Sequence, residues 1–393
     1  MTEPSAPAGT SPSPRSTVAL AECADYSRAN VERAVGKVIG LLGGIGHFVR
    51  SGENVLLKPN LLAARSPDEA VTTHPEIFRA VAKMCLDAGG RVTAGDSPGV
   101  GKFSSVAGKS GLAAAADELG VILREFTEAV EVERPEGARF RKLLLARAVT
   151  EADAVINLPK VKTHQQMFLT LAVKNLFGCI VGKEKIAWHM NAGRDAALFA
   201  RLLVEVCQSV APRLSIADGV LGMEGTGPSH GAPRWFRFIA ASADPFALDA
   251  VLTSQLGFRL ADLPVLAAAD AARSDGLPVG PTDLNHIDIV GCGTGGLRAA
   301  RVRPPVMGRL MFVPGFLSGI TRRLITVRPR VSGALCRACG VCVDSCPAGA
   351  MKIVDHKVRI DDTVCIRCFC CQELCPYGAV VVRRGLLSTF FAG

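Results

Sequence analysis

Five short apolar runs punctuate the chain before residue 295, at positions 54–58, 91–95, 154–158, 214–217 and 287–290. Each is closed by glycine, proline or a polar group, the pattern of strands buried on both faces. Between them lie stretches rich in alanine and leucine at helical spacing, among them 75–88, 112–119, 196–210 and 246–256. Strand and helix alternating at this interval predict an α/β fold, a doubly wound and mostly parallel sheet. Residues 128–145 alternate enough to predict an added strand or hairpin.

In open α/β sheets a ligand sits beyond the carboxyl ends of the strands. The predicted exits are Lys58-Pro59-Asn60, Asp96-Ser97-Pro98-Gly99, Pro159-Lys160-Val161-Lys162-Thr163-His164, Asp218-Gly219 and Gly291-Cys292-Gly293. Four of the five thus bring charged or hydrogen-bonding side chains to one edge. Any one alone reads as a turn or helix cap; their coincidence predicts a polar cleft.

The third exit opens the densest polar stretch, continuing through Lys174-Asn175 and Gly182-Lys183-Glu184-Lys185 to His189. Lysines suit carboxylate or phosphate, and a lysine desolvated beside other cations can fall toward neutrality and act as an acid. The plain alternative is a solvated basic face, but Met167, Phe168, Leu169, Leu171, Val173, Leu176 and Phe177 interleave the run where a solvated face would carry Asp or Glu. Lys160 and Lys162 point the same way if the strand continues past Pro159. A metal site from His74, His164 and His189 matches no ligand spacing. Glu224 lies in a glycine-rich turn that lets backbone approach a ligand. Gly291-x-Gly293-x-x-Gly296 copies the dinucleotide pattern, yet Pro304-Pro305 curtails any following helix and no acidic partner follows. No P-loop occurs.

The sharpest chemistry is C-terminal. Cys336, Cys339, Cys342 and Cys346 precede Pro347; Cys365, Cys368, Cys371 and Cys375 precede Pro376. Both runs read C-x2-C-x2-C-x3-C-P, the bacterial ferredoxin spacing, in which the fourth cysteine of each run serves the other cluster. Two 4Fe–4S clusters are predicted, one on Cys336, Cys339, Cys342 and Cys375, the other on Cys365, Cys368, Cys371 and Cys346. Zinc favours paired knuckles over such triplets. Cys370, between two ligands, is a spare donor; Cys23, Cys85, Cys179, Cys207 and Cys292 read as small core residues, with Cys179, beside the lysines, a candidate reactive thiol.

Composition sharpens this picture. An apolar fraction of 49% across 393 residues supports a sizeable core and two or three domains. Net charge is +9, and eight arginines between Arg298 and Arg330, with no acidic residue among them, supply most of it. Two oxidised clusters with their thiolates would add about −4, which removes most of the case for specific nucleic-acid binding. Residues 1–16 read as a disordered leader without the apolar region of a secretory signal. No apolar run reaches the ~18–20 residues that span a bilayer. Cysteines used for metal point to a reducing compartment, hence the cytoplasm. The expected domains are 17–297 (α/β), 298–332 (an arginine-rich linker, for which a membrane-surface contact is the less favoured reading) and 333–385 (a small α+β ferredoxin-like iron–sulfur domain), with 386–393 a tail.

The order of motifs resembles the domain-of-unknown-function 362 family. It is carried by Val55-Leu56-Leu57-Lys58-Pro59-Asn60, Thr73-His74-Pro75, Gly95-Asp96-Ser97-Pro98-Gly99, Pro159 to His164, Lys174-Asn175-Leu176-Phe177-Gly178, Asp218-Gly219, Gly225-Thr226-Gly227-Pro228 and Asp244-Pro245 through Asp249. The resemblance covers roughly residues 17–295, and members often carry a fused two-cluster ferredoxin domain. It implies the architecture and an iron–sulfur redox association, and supplies no substrate. The residues themselves lead to an iron–sulfur oxidoreductase in which Lys160, Lys162 and Lys174 bind a small anion and His164 or a lysine gives the proton. Lys58, Asn60, Asp96, Ser97, Asn175, Asp218 and Glu224 would hold substrate, and a protein electron donor would feed the clusters. The alternatives are an electron-transfer or maturation module that docks a protein partner, and an anion- or redox-responsive binding protein.

Overall fold

In the computed structural model, residues 15–99, 101–193, 195–292, 302–305 and 328–383 are described. The predicted leader, most of the arginine-rich linker, the C-terminal tail and the Lys183 side chain lie outside them. The strands are β1 (Ser16–Glu22), β2 (Asn54–Pro59), β3 (Arg91–Asp96), β4 (Ile122–Glu125), β5 (Ala129–Glu131), β6 (Leu144–Ala146), β7 (Ala154–Leu158), β8 (Lys160–His164), β9 (Phe168–Thr170), β10 (Leu214–Glu224), β11 (Ala232–Ser242) and β12 (Ile287–Gly291). The main sheet runs β12-β1-β11-β10-β7-β2-β3-β4, and β11 is the one antiparallel member of that path. β5 and β6 form the small hairpin expected within 128–145.

Alternation along each strand sends side chains to opposite faces. Val55 and Leu57 pack with Val31, Val35, Phe78 and Val81 from the helices Arg28–Leu41 and Pro75–Asp87. Leu56 faces the other way, toward Phe199, Leu203 and Phe246 from Ala196–Val210 and Pro245–Gln255. Both faces are therefore dry, as a parallel sheet requires. Several residues of the family motifs turn out to be helix caps. His74 Nδ1 accepts from Glu76 N and precedes Pro75 at the first turn, and Asp244 Oδ1 accepts from Phe246 N and Ala247 N.

Two departures from the sequence pattern matter for the site. β10 runs to Glu224, well past the expected end at Ala217. Its Gly219 reads as a loop residue, yet the Phe238 ring of β11 lies where a Cβ would sit, 2.4 Å from it, so the glycine admits the ring and the strand continues. The chain also resumes as a strand directly after Pro159: β8 lies beside the extended part of β10 and turns back as β9. This carries Lys160, Lys162 and His164 beyond the end of β7, over the sheet's carboxyl edge.

The C-terminal unit pairs β13 (Arg328–Val331) with β16 (Val380–Arg383), and β14 (Met351–Val354) with β15 (Lys357–Ile360). β13 falls inside the stretch read as linker, and Arg328 and Arg330 pair with Asp362, so this unit begins about five residues before the expected boundary at 333. It seats itself on the α/β domain through the helix Cys370–Leu374 and the turn after it. Gln372 Nε2 donates to the Thr226 carbonyl and Arg65 to the Pro376 carbonyl.

Candidate active site

The parallel strands β2, β3 and β7 deliver their exits to one place, and buried ion pairs fix them there. Lys58 is fully buried, 2.9 Å from Asp96 Oδ1. Asp96 also accepts from Leu61 N and Ser97 N at 2.7 Å each, which ties the loops after β2 and β3 together. Gly178 passes over this pair so closely that a Cβ would stand 2.2 Å from Asp96 Oδ1 and 2.6 Å from Lys58 Nζ. Asn60 Nδ2 donates to Asn175 Oδ1, and Asn175 Nδ2 donates to Asn157 Oδ1 and the Lys58 carbonyl. Asp249, buried beneath, accepts from Ala172 N and Val173 N and so anchors the turn that carries Lys174 and Asn175.

Above this floor lies a cavity of about 360 Å³, walled by both domains. Lys162, Lys174, Lys185, His164 and His189 line it from the α/β side; Ser345, Pro347, Cys370, Glu373 and Leu374 close it from the cluster side. Asn60, Asp96, Ser97 and Asn175 complete its polar rim. The lysines pay for confinement in lost basicity. Burial, then the neighbouring Lys174 charge, pushes Lys162 down to about 7, and burial pushes Lys185 down to about 8. Lys162 Nζ donates to Asn60 Oδ1 (2.9 Å) and the Val71 carbonyl (2.6 Å), which leaves one N–H uncommitted among the described residues. Lys185 donates to the Ser97 carbonyl. Lys174, also lowered by burial, lies over the Phe177 and Phe199 rings at 5.7 and 5.9 Å and has no hydrogen bond or ion pair among the described residues.

His164 is held in one tautomer. Its Nδ1 accepts from Gln166 N and Met167 N, so the proton sits on Nε2, 3.0 Å from Glu373 Oε1. Burial, reinforced by Lys174, pushes this ring down to about 4. It is therefore a neutral donor to a carboxylate that, against its own burial, is kept ionised first by His164 and its hydrogen bond and then by Lys174. That corrects the expectation of His164 as a ready proton source: both ring nitrogens are engaged.

Three more predicted residues stand away from the cavity. Lys160 Nζ bonds Asp218 Oδ2 and the Tyr26 hydroxyl, each at 2.8 Å, and Asp218 also accepts from Tyr26 and His74 N; Lys160 and Asp218 are fully buried. Glu224 is taken by Arg234 (2.6 Å) and Arg303 (2.7 Å), so it pins the arginine-rich stretch and does not hold substrate. Cys179 is fully buried and its thiol is pushed up to about 12, the opposite of a reactive cysteine. His74 stacks on Tyr26 at 3.5 Å, apart from the cavity that His164 and His189 line. Sequence reasoning missed Glu373 as a site residue and left Cys370 as a spare donor. Their place between ligand cysteines was the available signal, but only the docking of the two domains turns them inward.

The eight motif cysteines gather in the C-terminal unit, where Cys371 of one predicted set also lies near Cys342 of the other. Cys342 lies within electrostatic reach of Cys375, Cys339 and Cys336, while Cys365 lies near Cys368 and Cys346. Cys371 is near Cys368, Cys365 and Cys346, and a small cavity of about 20 Å³ is lined by all four of that set. Soft thiolates gathered in this way fit iron–sulfur ligation.

Residues 55–254 match the profile of a family described as a domain of unknown function (DUF362). The chain belongs to this family. Residues 328–376 match a 4Fe-4S dicluster domain, so a ferredoxin-type unit is fused to the DUF362 domain. A similar protein is the thylakoid-associated protein sll1697 of Synechocystis sp., 41% identical over 254 residues, which span 65% of this chain and 78% of that one. Two solved structures are more distantly alike. The lactate racemase apoprotein from Thermoanaerobacterium thermosaccharolyticum has a TM-score of 0.37 at 11% identity, covering 59% of this chain and 54% of its own. A Thermotoga maritima protein has a TM-score of 0.36 at 12% identity, covering 65% and 60%. Among the described residues of the DUF362 chain no helix is long and apolar enough to cross a membrane.

Proposed function

We propose that this protein is an iron–sulfur reductase that holds a small anion in the cavity between its two domains. One observation carries the reading: the wall that faces Lys162, Lys174 and Lys185 is the helix Cys370–Leu374, which bears the ligand Cys371 and leads into Cys375. Two 4Fe–4S clusters, on Cys336, Cys339, Cys342 and Cys375 and on Cys365, Cys368, Cys371 and Cys346, would supply electrons one at a time when bound. Ser345 and Pro347, which flank Cys346, line the cavity with Cys370, beside Cys371, and Leu374, beside Cys375, so residues next to both sets reach it.

The chain's own residues bind and protonate. Lys174 attracts the anion, and Lys185 and Asn60 shape the rim. Lys162, poised near neutrality, releases a proton with little cost at physiological pH. Glu373 and His164 hold the cluster unit against the cavity. Lys160 and Asp218 act from below, by fixing β8 against β10.

The test is anaerobic turnover of candidate anions by the dithionite-reduced holoprotein, with Lys162→Met and Lys160→Met compared. The reading expects Lys162→Met to cut kcat by about 10²–10⁴, the range for loss of a general acid, while cluster absorbance stays intact. Unchanged kcat in Lys162→Met would overturn it. A second reading, a module that passes electrons to a protein partner, draws on the exposed apolar side chains of the cluster unit, Leu335, Ile353, Val354 and Tyr377. It would be favoured by stable capture of an acceptor protein with no small-molecule turnover.

A further inference from the structure

The cavity's charges are arranged to select between kinds of anion, a step that rests on the reading of the cavity as a substrate site. Lys174 is its uncommitted cation: its ammonium rests on two aromatic rings and has no hydrogen-bond acceptor among the described residues. Lys162 has two of its three donors occupied, and Lys185 one. Among the described residues no arginine lines the cavity, so they offer no bidentate fork of the kind that commonly grips phosphate. Opposite stands Glu373, with one oxygen bonded to His164. Asp96 differs, since its oxygens are taken by Lys58 and by backbone N–H groups. Between the charges the walls are apolar: Leu61, Leu62, Phe177, Ile186 and Leu374.

We infer that the site takes a monocarboxylate with an apolar body, that Lys174 is its carboxylate anchor, and that Glu373 excludes dianions such as phosphate esters. A single carboxylate matches one free ammonium and the few N–H donors left over. A phosphate ester above neutrality carries nearly two charges and three acceptor oxygens; it would find too few donors and would meet a like charge in a confined space. The cluster unit thereby contributes specificity as well as electrons, because Glu373 is its residue.

Binding to the oxidised, anaerobic holoprotein tests this without any turnover. The probes are trans-cinnamate, its neutral amide and phenyl phosphate, titrated by calorimetry at neutral pH, where the phosphate ester already carries about −1.5 to −2. Wild type should bind cinnamate at least about tenfold more tightly than either of the others, the value of one charge-assisted hydrogen bond. Lys174→Met should erase the preference for cinnamate over the amide. Glu373→Gln should narrow the gap between cinnamate and phenyl phosphate by about tenfold or more, and Glu373→Asp should keep it. Lys174→Gln serves as a second variant if the first does not fold. No binding of cinnamate by wild type, equal or tighter binding of phenyl phosphate, or an unmoved preference in both Lys174 variants would overturn the inference. Cinnamate that binds selectively but is not reduced by the dithionite-reduced protein would count against the reductase reading and leave the charge selection standing.

Discussion

Lys160 and Lys162 sit two residues apart on one short strand; burial lowers the basicity of both, but they meet different partners. Lys160 meets the Asp218 carboxylate and the Tyr26 hydroxyl, which itself donates to Asp218. Lys162 meets only neutral acceptors, Asn60 and Val71, and faces the cavity. A buried lysine with a carboxylate partner is a structural joint. One without is a group whose charge state is still open, and that is the property a binding or acid-base site needs. Sequence alone treats the two alike, because both are lysines that follow the same strand exit.

The contrast is broken most directly at the joint. Lys160→Met leaves Asp218 buried without its cation, and loss of one member of a buried pair costs roughly 3–5 kcal/mol. Denaturant unfolding should register that loss. Lys162→Met removes a cation that burial already disfavours, so its stability should stay within about 1 kcal/mol of wild type. The double variant Lys160→Met/Asp218→Leu should recover part of the Lys160→Met loss, since no unpaired charge remains. Equal destabilisation by the two single lysine variants would erase the distinction.

A smaller effect is expected in the pH dependence of anion binding. Lys162 and Lys185 are lowered, to about 7 and about 8, from an ordinary value of 10.5. An anion binds their charged forms, so affinity should be greatest below about 7, fall as pH rises through 7 and 8, and be accompanied by proton uptake near neutrality. Without ligand the sign reverses. Between these values and 10.5 the unfolded chain holds protons that the native protein does not, so stability should rise with pH across that window. Calorimetry in buffers of different ionisation heat measures the proton uptake. Lys162→Met should remove the step near 7 and leave the one near 8.

What sequence could and could not reveal follows the same division between local and assembled features. β7 and the helices at 112–119 and 196–210 were legible to the residue, because apolar periodicity is local. The strand exits were legible too, since parallel strands send their carboxyl ends to one edge. β8 and the second half of β10 were hidden, because Pro159 and Gly219 signal a stop that tertiary contacts override. The ligand cysteines were plain from spacing. Glu373 was not, because nothing in Cys371-Gln372-Glu373-Leu374-Cys375 says which face of the helix another domain covers. Pairing was the other blind spot. Asp218 and Glu224 look like site carboxylates until their partners, distant in sequence, are in place.

Glu224 gives the weakest and last test of that division. It joins Arg234 on β11 to Arg303, in the stretch between the domains, and both arginines are partly or largely exposed. Water screens such pairs, so Glu224→Gln should cost no more than about 1 kcal/mol of stability. It sits outside the cavity, so cinnamate affinity and its preference over the amide should not move. The change should be local and kinetic: with Arg303 released from Glu224, the Arg303 amide should exchange hydrogen faster in the native protein, as less anchored segments do. A Glu224→Gln variant that lost anion binding but kept the slow exchange of the Arg303 amide would place this carboxylate back among the site residues, and would mean that the cavity extends across the top of β10 toward the second domain.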